Sequence, residues 1–214
     1  ALTLMDLERF DEAGSLLRET LMLGRDTWGV SNPITLGVQQ SLGGLYMEID
    51  EPAEALPLYE STLQWRERLL GPEHPDTLAS LDNVARGHLA LDQPARALET
   101  AQRAYEAQRA TLATGDADLL SSIRLIADIH RQAGERADEV AWRQRLLEQL
   151  DGSEAFAEAD NVESNIRLLQ LAIAGGFRQD IATLRSVIDN QLARGGDDLE
   201  RAAVQYRALI ETVD

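Results

Sequence analysis

The feature that most constrains this chain is a return of its letters every 42 residues. The stretch GVSNPITLGVQ at 29–39 and the stretch GPEHPDTLASL at 71–81 carry Gly, Pro, Thr and Leu in the same order at that interval. The register extends well beyond them. Leu36, Leu78, Leu120 and Val162 align, as do Leu42, Val84, Ile126 and Leu168, each followed at once by Gly43, Ala85, Ala127 and Leu169. A ring recurs at Tyr46, His88 and His130, and a break at Asp50, Asp92 and Gly134. A fixed period of this length means that one supersecondary unit is repeated and stacked, because a single unit cannot bury its own apolar face.

Each unit reads as two antiparallel helices. Apolar residues recur at spacings of three and four, β-branched runs are absent, and the 44% of hydrophobic residues are mostly Leu and Ala. The spacing predicts helices over 33–49 and 52–69, 76–91 and 94–111, 118–133 and 136–150, and 160–174 and 177–193. EPAEAL at 51–56 matches QPARAL at 93–98, each with Pro in the first turn of a helix, where a missing N–H costs little. Between units, Pro33 and Pro75 are expected to stop the preceding helix, and Thr35 and Thr77, with Asp76, to start the next. ERFDEA at 8–13 aligns with EPAEA, so residues 1–28 are expected to supply the second helix of an incomplete first unit. Repeats then run over 29–70, 71–112 and 113–154, a degenerate one over 155–195, and a capping helix over 196–214, with Leu199, Ala203, Tyr206 and Ile210 on one face.

The third and fourth units depart from the pattern. The third linker, ATGDADLL, lacks the His-Pro, and Glu139 falls where Ala55 and Ala97 sit. In the fourth, Leu169 takes the small position, and GGFRQDI at 175–181 fits only with a slip of about one residue.

Charge and composition exclude several functions. A net charge of −17 repels nucleic-acid phosphates and anionic lipid head groups, and no stretch is apolar enough for a membrane span. There is no Cys, so no disulfide or thiolate metal site arises, and a cytoplasmic location is expected. No cofactor motif, phosphate loop or nucleophile elbow is present, so catalysis is not expected from these residues. His88 and His130 stand one unit apart, and a metal pair is conceivable. Neither has a second ligand at His-x-x-x-His spacing, and substitution for a core aromatic explains both, so no metal is expected.

Length alone points to HEAT-like repeats, at about 40–47 residues, over the usual tetratricopeptide unit of about 34. The residue pattern points the other way. A small residue follows an apolar one in the first helix (Gly43, Ala85, Ala127), a ring comes three later, and then come Ala55 and Ala97, followed by Thr62 and Ala104. Small side chains at those places let two helix backbones approach closely. With the linker GPEHPDTLASLDNVA, residues 29–112 resemble the kinesin light chain type of tetratricopeptide repeat, which is also common in bacterial multidomain proteins.

The resemblance implies an all-α, right-handed superhelix of antiparallel helix pairs, with a concave groove built from first helices that binds a protein or peptide. Carried over position by position, the groove would contain Gln40, Ser41 and Gly44; Asp82, Asn83 and Arg86; Arg124, Asp128 and Arg131; and Arg167 and Gln170. Of these, Gln40, Asn83, Arg86, Arg124, Arg131 and Arg167 are the candidate peptide-binding residues. Asn83 matches the family's groove asparagine, whose amide both donates to and accepts from a peptide backbone. The arginines suit a partner segment bearing Asp, Glu or a free C-terminus. Alternatively they pair internally, with Asp82, Asp128 and Glu163 as the expected partners. The family's two-carboxylate clamp for chaperone tails needs two Asn residues, and Asn83 alone matches. Two other roles stay open: a regulatory or sensor segment of a larger bacterial enzyme, and an oligomerisation module using Trp28, Trp65 and Trp142.

Overall fold

The structure is a computed structural model and describes residues 10–150, 159–175, 178–194 and 199–211. Among them lie ten helices and no strand. They are α1 (Phe10–Trp28), α2 (Pro33–Glu48), α3 (Pro52–Leu70), α4 (Pro75–Ala90), α5 (Pro94–Thr111), α6 (Ala117–Ala133), α7 (Arg136–Leu150), α8 (Ala159–Gly175), α9 (Arg178–Arg194) and α10 (Glu200–Ile210). Residues 1–9 of the expected opening segment, and Gly176 and Phe177 of the irregular fourth-unit turn, lie outside the described residues.

The chain divides into two compact units, residues 1–108 and 109–214. In the first, α1 packs on α2, α2 on α3, and α3 on α4. One core joins Ala13, Leu17 and Leu21 of α1 to Leu42 and Leu45 of α2. A second joins Ala55, Tyr59 and Leu63 of α3 to Leu78, Leu81 and Val84 of α4 and Ala104 of α5. In the second unit α6 packs on α7, α7 and α9 on α8, and α10 on α8. Its core contains Val162, Ile166, Leu169, Leu184, Ile188, Ala202 and Tyr206. The last helix thus covers α8 with Ala202 and Tyr206, where the sequence pattern had put Ala203 and Tyr206 on the covering face. No described helix is long and apolar enough to cross a membrane.

The turns repeat as closely as the letters. At the turns from α2 to α3, α4 to α5 and α6 to α7 the chain passes through positive φ, at Asp50 (φ 59°), Asp92 (φ 55°) and Gly134 (φ 76°). The Glu51 N–H bonds back to the Tyr46 carbonyl at 2.7 Å, Gln93 to His88 at 2.9 Å, and Glu135 to His130 at 2.9 Å. The Asp50, Asp92 and Gly134 N–H groups reach the Met47, Leu89 and Arg131 carbonyls. This is the Schellman pairing, which satisfies carbonyls that a helix end leaves without partners. Asp tolerates the left-handed conformation better than most side chains, which explains why Asp and Gly alternate there.

The starts of first helices differ from the sequence expectation. The capping residues are Asn32, His74 and Asp116, again at equal spacing. Asn32 Oδ1 accepts from the Ile34 N–H at 2.9 Å, His74 Nδ1 from Asp76 at 3.1 Å, and Asp116 Oδ1 from Asp118 at 3.0 Å. Pro33 and Pro75 do not end a helix; they are the first residues of α2 and α4. Thr35 and Thr77 are buried in the first turn, at 1% and 0% exposure. The physical reason is the fixed φ of Pro, which suits the first helical position and leaves capping to the preceding residue.

Close packing is visible at the small residues. Ala55, Ala85, Ala97, Ala104 and Ala127 are all fully buried. At Gly43 the Tyr59 ring lies so near that a Cβ would fall 2.6 Å from Tyr59 Cε1. Gly37, on the same helix, has open space around its Cβ position. The two glycines should therefore respond oppositely to the same change. Gly37→Ala is expected to stabilise by up to about 1 kcal/mol through helix propensity. Gly43→Ala should lose that gain and more, because overpacking costs about 1–3 kcal/mol. Urea unfolding of the two variants measures both signs.

Candidate functional site

In the first unit the candidate residues lie on α2 and α4. Gln40 is half-buried, and its Oε1 accepts from Arg66 Nη1 of α3 at 2.6 Å. The same nitrogen donates to Ser80 Oγ at 2.8 Å and to the Asp76 carbonyl at 3.1 Å, so Arg66 ties α2, α3 and α4 together. Gln40 is therefore held as a structural acceptor. Beside it, Gln39 is buried, accepting from Arg25 at 2.8 Å and donating to the Leu58 carbonyl at 3.0 Å and Thr62 Oγ1 at 3.1 Å.

Asn83 differs in kind. Its side chain is half-buried and its amide has no hydrogen-bond partner among the described residues. One turn on, Arg86 is exposed and close enough to the Tyr59 hydroxyl to act on it electrostatically. Burial pushes that hydroxyl up to about 12; Arg86 draws it back part of the way and Glu48 adds to the rise. The phenol thus stays neutral and able to donate. A Cβ at Gly44 would lie 3.9 Å from the Tyr59 oxygen, so Gly44, Tyr59 and Arg86 form one neighbourhood. Sequence reasoning missed Tyr59 and Arg66, because both sit on a second helix, where the repeat pattern directs attention to packing.

In the second unit Arg124, Arg131 and Arg167 each have a partner within the fold. Arg124 Nη1 donates to Oδ1 of the buried Asn161 at 3.0 Å. Arg131 Nε lies 3.5 Å from Asp128 Oδ1. Arg167 grips Glu139 with Nε at 3.0 Å and Nη2 at 3.4 Å, and reaches Gln170 Oε1 at 3.4 Å. Asp128 is thus one of the expected internal acids, while Glu163 is exposed and Glu139 was not foreseen as a partner.

Glu139 is 1% exposed and also accepts from Arg143 Nε at 3.1 Å. Arg143, itself 5% exposed, continues to Asp128 Oδ1 at 2.9 Å and Ser164 Oγ at 2.7 Å. Glu139 occupies the register of Ala55 and Ala97, and Arg143 that of Tyr59 and Ala101. The small-residue lock is replaced here by a buried ion pair made within one helix. Trp65 and Trp142 are half-buried, each with a cation over its ring: Arg68 at 5.5 Å and Arg145 at 4.6 Å from the centroid. Trp28 is 53% exposed.

A tetratricopeptide repeat family model matches residues 34–110. Over those residues the chain matches the tetratricopeptide repeat. Among solved structures it is similar to a putative kinesin light chain of Podosopora anserina with nearly identical TPR-like repeats, at 22% identity over 90% of this chain and 91% of that one, with a TM-score of 0.76. It is also similar to BtubC (BKLC) from P. vanneervenii, at 18% identity over 89% and 76%, TM-score 0.76. MamA is similar at 11% identity over 90% and 94%, TM-score 0.62. These likenesses give the all-α tetratricopeptide solenoid as the fold class. No curated protein sequence matches the chain.

The buried ion pair makes the second unit acid-sensitive. Burial alone would raise the Glu139 carboxyl, but hydrogen bonds and charge from Arg167 and Arg143 outweigh it and hold the group below its ordinary 4.5. A carboxylate depressed in the folded state contributes stability that is complete above the unfolded value and vanishes as pH falls through the folded one. Glu139→Gln keeps one acceptor oxygen but removes the negative charge that meets two arginines, which should cost up to about 3–5 kcal/mol near neutral pH. Urea unfolding should show that gap at neutral pH and a progressively smaller one below the ordinary 4.5.

Proposed function

We propose that the chain is a non-catalytic scaffold that holds an extended segment of another protein against the face built by α2 and α4. Tetratricopeptide repeats generally serve protein–protein interaction, and this chain has their fold. The observation that carries the reading is Asn83. A half-buried amide without a partner among the described residues can satisfy both a donor and an acceptor of a peptide backbone, gripping it without reading its sequence.

Arg86 and the Tyr59 hydroxyl supply the charge and the donor for an acidic side chain or a free C-terminal carboxylate. Asn161, Asp128 and Glu139 hold the guanidinium groups of Arg124, Arg131 and Arg167. The overall charge of −17 works against an acidic partner at long range, but salt screens it beyond about 8–10 Å. Short-range bonding at Arg86 then decides. A peptide selected from a random display library on the purified chain provides the probe. Asn83→Ala should weaken its binding about tenfold, the worth of one to two hydrogen bonds. Arg86→Gln should weaken it only while the peptide retains its carboxylates. Unchanged anisotropy titrations for Asn83→Ala would reject this face.

A second reading, self-association, attaches to Trp28 at 53% exposure beside Val30 at 46% and Ile34 at 59%. Sedimentation at tens of micromolar tests it: Trp28→Ser should shift a dimer toward monomer, and a wild-type monomer would remove the idea.

A further inference from the structure

The turn between α6 and α7 carries side chains that its backbone does not need. His130, in the last turn of α6, is 6% exposed, and its Nδ1 points out of the core to Glu135 Oε2 at 2.6 Å. Asp138, in the first turn of α7, completes the group. One donor atom from each of the three lies within 4.8 Å of the other two. Glu135 and Asp138 are exposed, so solvent reaches the group directly. Arg131 is drawn away to Asp128, and the Arg136 side chain is exposed.

The equivalent turn one repeat earlier serves as an internal control. It has the same backbone pairing and the same buried ring, His88, whose Nδ1–H donates to Gln93 Oε1 at 3.0 Å. At the register of Glu135 and Asp138 it carries Gln93 and Arg96. A neutral amide therefore suffices to staple the ring to the turn. The two carboxylates are an addition, and in the sister turn one of their places holds a cation.

We propose that His130, Glu135 and Asp138 form a binding site for a divalent transition-metal ion of zinc-like preference. One imidazole nitrogen with two carboxylates is a donor set that suits Zn²⁺, whereas Mg²⁺ and Ca²⁺ prefer oxygen alone. The two negative charges match the ion's, and core packing already fixes the ring. Bonds of about 2.0–2.2 Å require the His130–Glu135 contact to open by somewhat less than about 1 Å, which the exposed glutamate allows. His130 coordinates through Nδ1 as its Nε2–H tautomer. Three protein donors leave a fourth position to water. The i+5 and i+8 spacing across a turn explains why a search for His-x-x-x-His finds nothing here.

The chain holds three histidines, so imidazole NMR resolves each one. The metal-stripped chain is titrated with ZnCl₂ in excess MgCl₂, which occupies non-specific acidic surface. We expect the His130 resonances alone to shift, saturating at one equivalent, and at least tenfold weaker binding in Asp138→Asn. Asp138 is exposed, so that variant should unfold in urea as the wild type does without metal. The proposal is overturned if His74 or His88 shifts equally, if binding does not saturate, or if Asp138→Asn binds zinc as tightly as the wild type.

Discussion

Two helix backbones can nest only where the side chains between them are nearly absent, and the architecture of this chain depends on that contact. Tyr59 lies against Gly43 with no room for a methyl group, and Ala55, Ala85, Ala97 and Ala104 are fully buried around the same packing. The Schellman turns at Asp50 and Asp92 set the distance between the helices that meet there. Turn and lock act together: the turn satisfies the helix-end carbonyls, and the lock lets the returning helix come close enough to bury Leu42, Val84 and their partners. Neither would serve without the other.

The third helix pair solves the same problem with different chemistry. A carboxylate at a position built for a methyl group is tolerable only if its charge is met at once, and Arg143 sits one turn along the same helix to meet it. Arg167 of α8 then adds a second guanidinium. Such a pair gains little over apolar packing, because desolvation offsets most of the attraction. It does impose direction. An apolar lock accepts any small neighbour, whereas Glu139 demands donors at fixed places, so α7 and α8 are specified to each other by hydrogen bonds as well as by shape.

Much of this was legible in the letters. The helix pairs, the breaks at Asp50, Asp92 and Gly134, and the missing space at Gly43 follow from periodicity, since each is a backbone requirement that few residue types meet. The caps were misread by a few residues because Pro and Thr catch the eye, while Asn32, His74 and Asp116 share a position but no single letter. The Glu139 network was hidden for a different reason. Its members come from α6, α7 and α8, and no one-dimensional spacing links Asp128 to Arg143 or Glu139 to Arg167. Glu139 was noticed only as a departure from pattern; what it holds required three dimensions.

The chemistry of the proposed groove positions is subject to the same limit. One register position carries Ser41, Asn83, Leu125 and Arg167 in successive repeats. Ser41 donates to its own helix at the Gly37 carbonyl, Leu125 is buried, and Arg167 is committed to Glu139, while the Asn83 amide has no partner among the described residues. The repeat fixes where a side chain stands and leaves its chemistry to the individual residue, so equivalent positions do not make equivalent sites. In the proposed binding mode recognition concentrates on α4, where Asn83 and Arg86 stand one turn apart and Tyr59 lies within electrostatic reach of Arg86. On that proposal a partner needs only a short extended segment, with the neighbouring repeats holding α4 rigid.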